Sequence, residues 1–201
     1  QSQIFAAMLD KRLRLPCRAA GRRAGTEASR TMKSSKHTLG WIGTGRMGYA
    51  LVTRLLERGC DVSVYNRTRA KAEPLVKLGA RLVSRPADLA DRDIVFTSVA
   101  GSQDFAEVTT GPDGVLSNGG RVPAVIIDAS TVSMDVSRNV RAKAEHVGSA
   151  LLATPVSGNA KVVKAGRLSI AVSGPREAFE LSLPYLEMLG GTVSSFGEGE
   201  N

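Results

Sequence analysis

From residue 38 onward, apolar positions recur with two alternating periods, and these predict a succession of strands and helices. Leu39-Gly40-Trp41-Ile42 is an apolar run of strand length. Met47, Ala50, Leu51 and Leu55 follow at spacings of three and four, which puts them on one helical face. Asp61–Tyr65 reads as a second strand. Lys71–Leu78 reads as a helix that Gly79 stops. Arg81–Val83 is a short strand, and Pro86–Ala90 a helical turn with proline at its start. Asp93–Val99 is a buried strand centred on Ile94-Val95-Phe96. Ser102–Val108 is a helix with Ser102 as its cap, followed by a turn over Gly111–Gly114. Ala124–Asp128 is the next strand. Ser133–Val147 is a helix with Val136, Val140, Ala144 and Val147 on one face. Ala150–Ala153, Leu168–Val172 and Thr192–Phe196 are further strands. The helix opened by Gly174-Pro175 is expected to break at Pro184. Strands alternating with helices imply a mostly parallel sheet covered on both faces. The expected class is α/β, Rossmann-like and doubly wound, with about eight strands in place of the six of a minimal domain.

Gly43-Thr44-Gly45-Arg46-Met47-Gly48 fits G-x-G-x-x-G. It follows a strand, opens a helix and lies in a unit of about 30 residues, the context of a dinucleotide fingerprint. Gly43 allows the tight turn, Gly45 lets a pyrophosphate approach the backbone, and Gly48 allows close helix packing. The free N–H groups and positive dipole end of the helix then face the phosphates.

The end of the second strand bears on which dinucleotide. An NAD site usually has Asp or Glu there, accepting from the ribose 2′-hydroxyl. This chain has Asn66-Arg67-Thr68, with Arg69 nearby. Asn66 does not repel a 2′-phosphate, and an arginine offers a planar fork for it. The residues therefore read as a site for NADP(H) in preference to NAD(H).

Charge divides the chain. The formal net charge is +8, but residues 1–36 hold nine Lys/Arg and two acids, which leaves the remainder nearly neutral. That basic segment fits a transit peptide, a basic arm for nucleic acid, or an upstream extension preceding Met32. The last reading is preferred, with the segment expected to be disordered and nucleic acid not expected as a partner. No apolar run approaches the roughly 18 residues that span a bilayer. Cys17 and Cys60 lie in unrelated contexts and read as free thiols in a reducing compartment. No metal site is indicated, and His37 and His146 read as surface residues. The expected location is cytoplasmic, or mitochondrial if the basic segment is a transit peptide.

Three later segments extend the pattern: Asp128-Ala129-Ser130-Thr131-Val132-Ser133, Thr154-Pro155-Val156-Ser157-Gly158-Asn159, and Ala165-Gly166-Arg167-Leu168 leading into Val172-Ser173-Gly174. Together with the fingerprint and Asn66-Arg67-Thr68, they resemble the β-hydroxyacid dehydrogenase family over residues 38–201. That family includes 3-hydroxyisobutyrate dehydrogenase and tartronate semialdehyde reductase and shares its cofactor domain with 6-phosphogluconate dehydrogenase. The resemblance implies that Val99 and Ala100 line the ribose–nicotinamide side, that Asp104 stands where some members carry a cofactor-contacting Asn, and that Thr131 lies near the nicotinamide. It implies that Ser157 and Gly158, with Ser130 and Asn159, bind a small carboxylate-bearing substrate. The usual Ser-Gly-Gly is Ser157-Gly158-Asn159 here.

The resemblance also implies a general acid/base lysine on a long helix beyond Asn201, and no catalytic residue within the chain. Lys161 and Lys164 do not match that position. The expected layout is a basic extension over 1–36, an NADP-binding domain over 37–197, and the start of an interdomain helix over 198–201. The family's all-helical second domain, which completes the pocket and the interface of a homodimer or tetramer, is expected to be missing. On this reading the chain binds cofactor but does not turn over substrate alone. Two alternatives remain at this stage: a non-catalytic NADP-binding module with a basic tail, and a relative of the imine reductases.

Overall fold

The computed structural model describes residues 37–117 and 119–197; the expectations for residues 1–36 and 198–201 lie outside the described residues. The first half builds β1 (Leu39–Ile42), α1 (Arg46–Glu57), β2 (Val62–Tyr65), α2 (Glu73–Val76), β3 (Arg81–Leu82), β4 (Ile94–Thr97), α3 (Ser102–Thr110), β5 (Val125–Asp128), α4 (Met134–His146) and β6 (Ala150–Ala153). The six strands form one parallel sheet in the order β3-β2-β1-β4-β5-β6. The order reverses between β1 and β4. In open α/β sheets, ligands bind outside the carboxyl ends of the strands at such a switch point.

Side chains alternate across the sheet, as period-2 geometry requires. Trp41, Ile94, Phe96, Val125, Ile127 and Leu152 face one core, against α1 and α6 (Arg176–Leu189). Ile42, Val95, Ile126 and Leu151 face the other, against Leu89, Phe105 and Val140. Trp41 and Phe96 stack with centroids 5.0 Å apart.

The remaining strands leave this sheet. β7 (Val156–Ser157), β8 (Ser169–Val172) and β9 (Thr192–Ser195) form a second sheet, with β7 antiparallel to β8 and β8 parallel to β9. The sequence pattern anticipates about eight strands in one sheet; among the described residues nine form, in two sheets. Past β6 the chain turns to β8 instead, and the Pro155 carbonyl accepts from the Ala171 N–H at 3.1 Å. α5 (Ala160–Lys164), which the periodicity did not reveal, follows β7 and packs on α1.

Two proline effects differ from expectation. The helix predicted over 71–78 is a 3₁₀ turn at Arg69–Lys71 followed by the one-turn α2. Pro74 has no N–H for a preceding turn and its ring crowds the carbonyl four residues back. In contrast, α6 runs unbroken through Pro184. Pro184 and Glu180 both lie on its exposed side, so the carbonyl left unpaired can be hydrated. Tyr185, Leu186 and Leu189 hold the buried side in the core.

The start of β1 is latched. His37, expected at the surface, is half-buried, with Nδ1 2.9 Å from the Tyr185 hydroxyl; burial raises the Tyr185 pKa. Asp93 Oδ2 accepts from the Thr38 N–H and hydroxyl, both at 2.8 Å, and Oδ1 accepts from Arg121 at 3.1 Å. The Thr38 N–H hydrogen bond is the largest cause of a lowered Asp93 pKa, with Arg121 and His37 adding to it. A lowered folded-state pKa contributes stability above the ordinary carboxylate range, and the contribution disappears as pH falls through the lowered value. Asp93→Asn is therefore expected to cost about 1 kcal/mol near pH 7. The difference from wild type should shrink towards pH 3, as read from thermal midpoints across pH.

Candidate dinucleotide site at the switch point

The turn after β1 is shaped by atoms that side chains would displace. Gly43 has φ +95°, and a Cβ there would lie 2.2 Å from the Ser98 carbonyl oxygen. A Cβ on Gly48 would lie 2.0 Å from the Gly43 carbonyl oxygen. That carbonyl also accepts from the buried Trp41 indole N–H at 2.9 Å. Trp41 thus ties the turn to the core, a role its place in an apolar run did not signal.

Gly45 differs from both. Apart from the adjoining backbone, no heavy atom of the described residues lies within 4 Å of where its Cβ would stand. It is the N-cap of α1, no side chain caps the helix, and the first turn holds no acid. Arg46 is exposed, Met47 half-buried. Free N–H groups, the positive dipole end and an arginine thus meet open space, an arrangement suited to a phosphate.

Asn66 sits differently from the sequence reading. Its Oδ1 accepts from the Thr44 N–H at 2.8 Å, and its Nδ2 donates to the Thr68 carbonyl at 2.8 Å. Both ends of its amide are engaged, so it braces the glycine turn against the end of β2. The buried Thr44 hydroxyl has no hydrogen-bond partner among the described residues. Arg67 and Thr68 are exposed. Arg67 Nη1 donates to Asp104 Oδ1 at 2.9 Å, joining two predicted residues 37 positions apart.

The loops after β4 and β5 are knitted through Asp128. Its Oδ1 accepts from the Thr97 hydroxyl at 2.7 Å and the Ser130 N–H at 3.0 Å. Its carbonyl accepts from the Thr154 N–H and hydroxyl at 2.7 and 2.8 Å. Ser130 Oγ, expected at the substrate, accepts from the Val99 N–H at 2.9 Å, which leaves its hydroxyl proton as its means of contacting a ligand. Ala100 and Thr131 are exposed on the same two loops. Thr97 and Asp128 were not singled out from the sequence as site residues; an acid ending an apolar strand before Ala-Ser-Thr is the signal that was present.

Ser157, Gly158 and Asn159 lie at the turn from β7 into α5. Ser157 is exposed. Gly158 has φ +145°, and a Cβ there would crowd Leu168 and Val162 at 2.9 and 3.0 Å. Asn159 caps α5, its Oδ1 accepting from the Lys161 and Val162 N–H groups. The departure from a second glycine is thus explained locally by capping. Lys161 and Lys164 are exposed on α5. A surface depression of about 460 Å³ lies far from these groups in the fold, lined by Thr110, Leu116, Lys143, His146 and Val147 at the C-terminal ends of α3 and α4.

Residues 38–197 match the family described as the NAD binding domain of 6-phosphogluconate dehydrogenase. The chain belongs to this family. It is 32% identical over 168 residues to glyoxylate/succinic semialdehyde reductase 2, chloroplastic, of Arabidopsis thaliana, covering 82% of this chain and 46% of that protein. Among solved structures it resembles 3-hydroxyisobutyrate dehydrogenase of Mycobacterium tuberculosis with L-serine, at TM-score 0.73 and 27% identity, covering 81% of this chain and 55% of that one. It likewise resembles an imine reductase of Myxococcus stipitatus in complex with NADP+, at TM-score 0.72 and 29% identity, covering 80% and 55%. The chain spans about half the length of the curated relatives it matches. It is an oxidoreductase-type NAD(P)-binding domain related to hydroxyacid dehydrogenases and imine reductases. Among the described residues no helix is long and apolar enough to cross a membrane, and no group of His, Cys, Asp and Glu could hold a metal ion.

The bracing by Asn66 sets a measurable expectation. Asn66→Ala leaves the Thr44 N–H and the Thr68 carbonyl without their side-chain partner and should cost about 1–2 kcal/mol. Thr68→Ala keeps the carbonyl and should cost less than about 0.5 kcal/mol. Urea denaturation of the two variants checks this; equal small losses would contradict the bracing role.

Proposed function

We propose that this domain binds NADP(H) in preference to NAD(H) and serves a reductase or dehydrogenase acting on a small β-hydroxy acid or its semialdehyde. The observation that carries the reading is the open, acid-free N-terminus of α1 beside a strand end that carries Asn66 and then Arg67 where NAD sites usually have a carboxylate. The backbone of Gly43–Gly48, with Thr44, Arg46 and Met47, holds the pyrophosphate. Arg67 and Thr68 meet the 2′-phosphate, and Asn66 keeps the turn in register for them. Val99, Ala100 and Thr131 line the ribose–nicotinamide side. Once bound, the cofactor supplies or accepts the hydride, and the protein supplies position and electrostatics.

The substrate carboxylate is assigned to Ser157, Gly158 and Asn159, with Ser130 at the neighbouring loop. Asn159 uses its Oδ1 in capping, so the group left to it is the Nδ2 donor, which suits a carboxylate. Serine and threonine hydroxyls have no pKa near 7, so they orient and polarise the substrate but do not deliver a proton there. Proton transfer at the reacting oxygen is left to another group, which on the family resemblance lies outside the described residues. The family resemblance gives that role to a lysine. The likeness to imine reductases keeps an imine substrate as the second reading; the hydroxyl and amide donors after β7 favour the acid.

NADPH is expected to bind at least about tenfold more tightly than NADH, or 1.4 kcal/mol. Arg67→Ala should remove most of that difference by weakening NADPH alone. Titration calorimetry with both cofactors is the check. Equal affinities in the wild-type chain would sink the NADP(H) reading.

A further inference from the structure

Two side chains on opposite flanks of the glycine turn are tied to each other. Arg67 follows β2, and Asp104 stands in the first turn of α3, after β4. In the sheet, β2 and β4 are the two neighbours of β1, from which the turn springs. Arg67 Nη1 and Asp104 Oδ1 are 2.9 Å apart, with the arginine side chain 80% exposed and the carboxylate 28%. The end of β2 is where this fold class reads the adenosine 2′ position, by an acid for a hydroxyl or an arginine for a phosphate. Here the arginine stands at that end, the adjacent Asn66 is occupied by Thr44 and Thr68, and the carboxylate arrives from the opposite flank.

We propose that Asp104 is a specificity-determining residue that acts against the 2′-phosphate. It engages Nη1 of the guanidinium that the phosphate needs, and it sets a negative charge beside a dianion. A 2′-hydroxyl meets neither conflict, because a carboxylate accepts its hydrogen bond. An exposed ion pair is weak enough to be exchanged, so Asp104 narrows the preference for NADP(H) without reversing it. Arginine and carboxylate thus face each other at one subsite. The inference rests on the NADP(H) reading above.

The test is calorimetric titration of the 201-residue chain and its variants with NADPH and NADH, and with adenosine 2′,5′-bisphosphate and 5′-AMP as probes of the adenosine end. Asp104→Asn should tighten NADPH and the bisphosphate by about three- to tenfold. It should leave NADH and 5′-AMP unchanged or weaker. Asp104→Glu, which keeps the charge, should follow the wild type. Unchanged NADPH affinity in Asp104→Asn overturns the proposal. Weaker NADPH binding overturns it too, since Asp104 would then be orienting Arg67 for the phosphate. Arg67→Ala separates the two levels. If it weakens NADPH while Asp104→Asn changes nothing, the NADP(H) reading stands and only the role of Asp104 falls. If Arg67→Ala leaves both cofactors unaffected, both fall.

Discussion

The backbone of the first turn runs where side chains would otherwise stand, and the rest of the site depends on that approach. The Gly43 carbonyl lies 2.0 Å from the place a Cβ on Gly48 would occupy, and the Ser98 carbonyl 2.2 Å from a Cβ on Gly43. Overlaps of that size with backbone atoms cannot be relieved by rotating a side chain. The turn can therefore pack against β4 and α1 only with glycine at both positions. The buried indole of Trp41 then fixes the Gly43 carbonyl, and Trp41 stacks on Phe96 in the centre of the sheet. Core packing and the orientation of the helix terminus are thus linked through one carbonyl group.

Around that turn, polar groups divide into those that hold the scaffold and those left for a ligand. Asn66, Thr97, Asp128 and Thr154 are spent on joining strand ends. Arg46, Thr131 and Ser157 are exposed. The first group satisfies buried donors and acceptors that would otherwise be costly. The second can lose water to a ligand without disturbing the fold. This division explains why the strand ends hold their shape while the mouth stays open to an anion.

Much of the fold was legible because it rests on local chemistry. Gly43, Gly45 and Gly48, the apolar face of Met47, Ala50, Leu51 and Leu55, and the strand runs are all periodic or tightly spaced. What escaped depends on distant partners or on solvent. Pro184 reads as a breaker in isolation, yet its surroundings let α6 pass through it. Pro74 stands within an otherwise helical window, whose periodicity hides the break that it makes. Strand periodicity does not say which sheet a strand joins, so β8 and β9 could not be separated from the main sheet, and the two residues of β7 are too few to show a period. In the site, Asn66 was read by its charge alone, and nothing in its spacing disclosed the Thr44 N–H across the turn. Arg67 and Asp104 were each singled out, but only the fold brings them to 2.9 Å.

In the function proposed above, the N-terminus of α1 receives the phosphates of a dinucleotide. Amide chemical shifts of the labelled chain during NADP+ titration test it most directly, because they report which backbone N–H groups meet the ligand. Large, saturable shifts are expected at Gly45, Arg46 and Met47, whose N–H groups open the helix, accompanied by Arg67. Shifts confined to Lys143, His146 and Val147, around the depression at the far ends of α3 and α4, would contradict it.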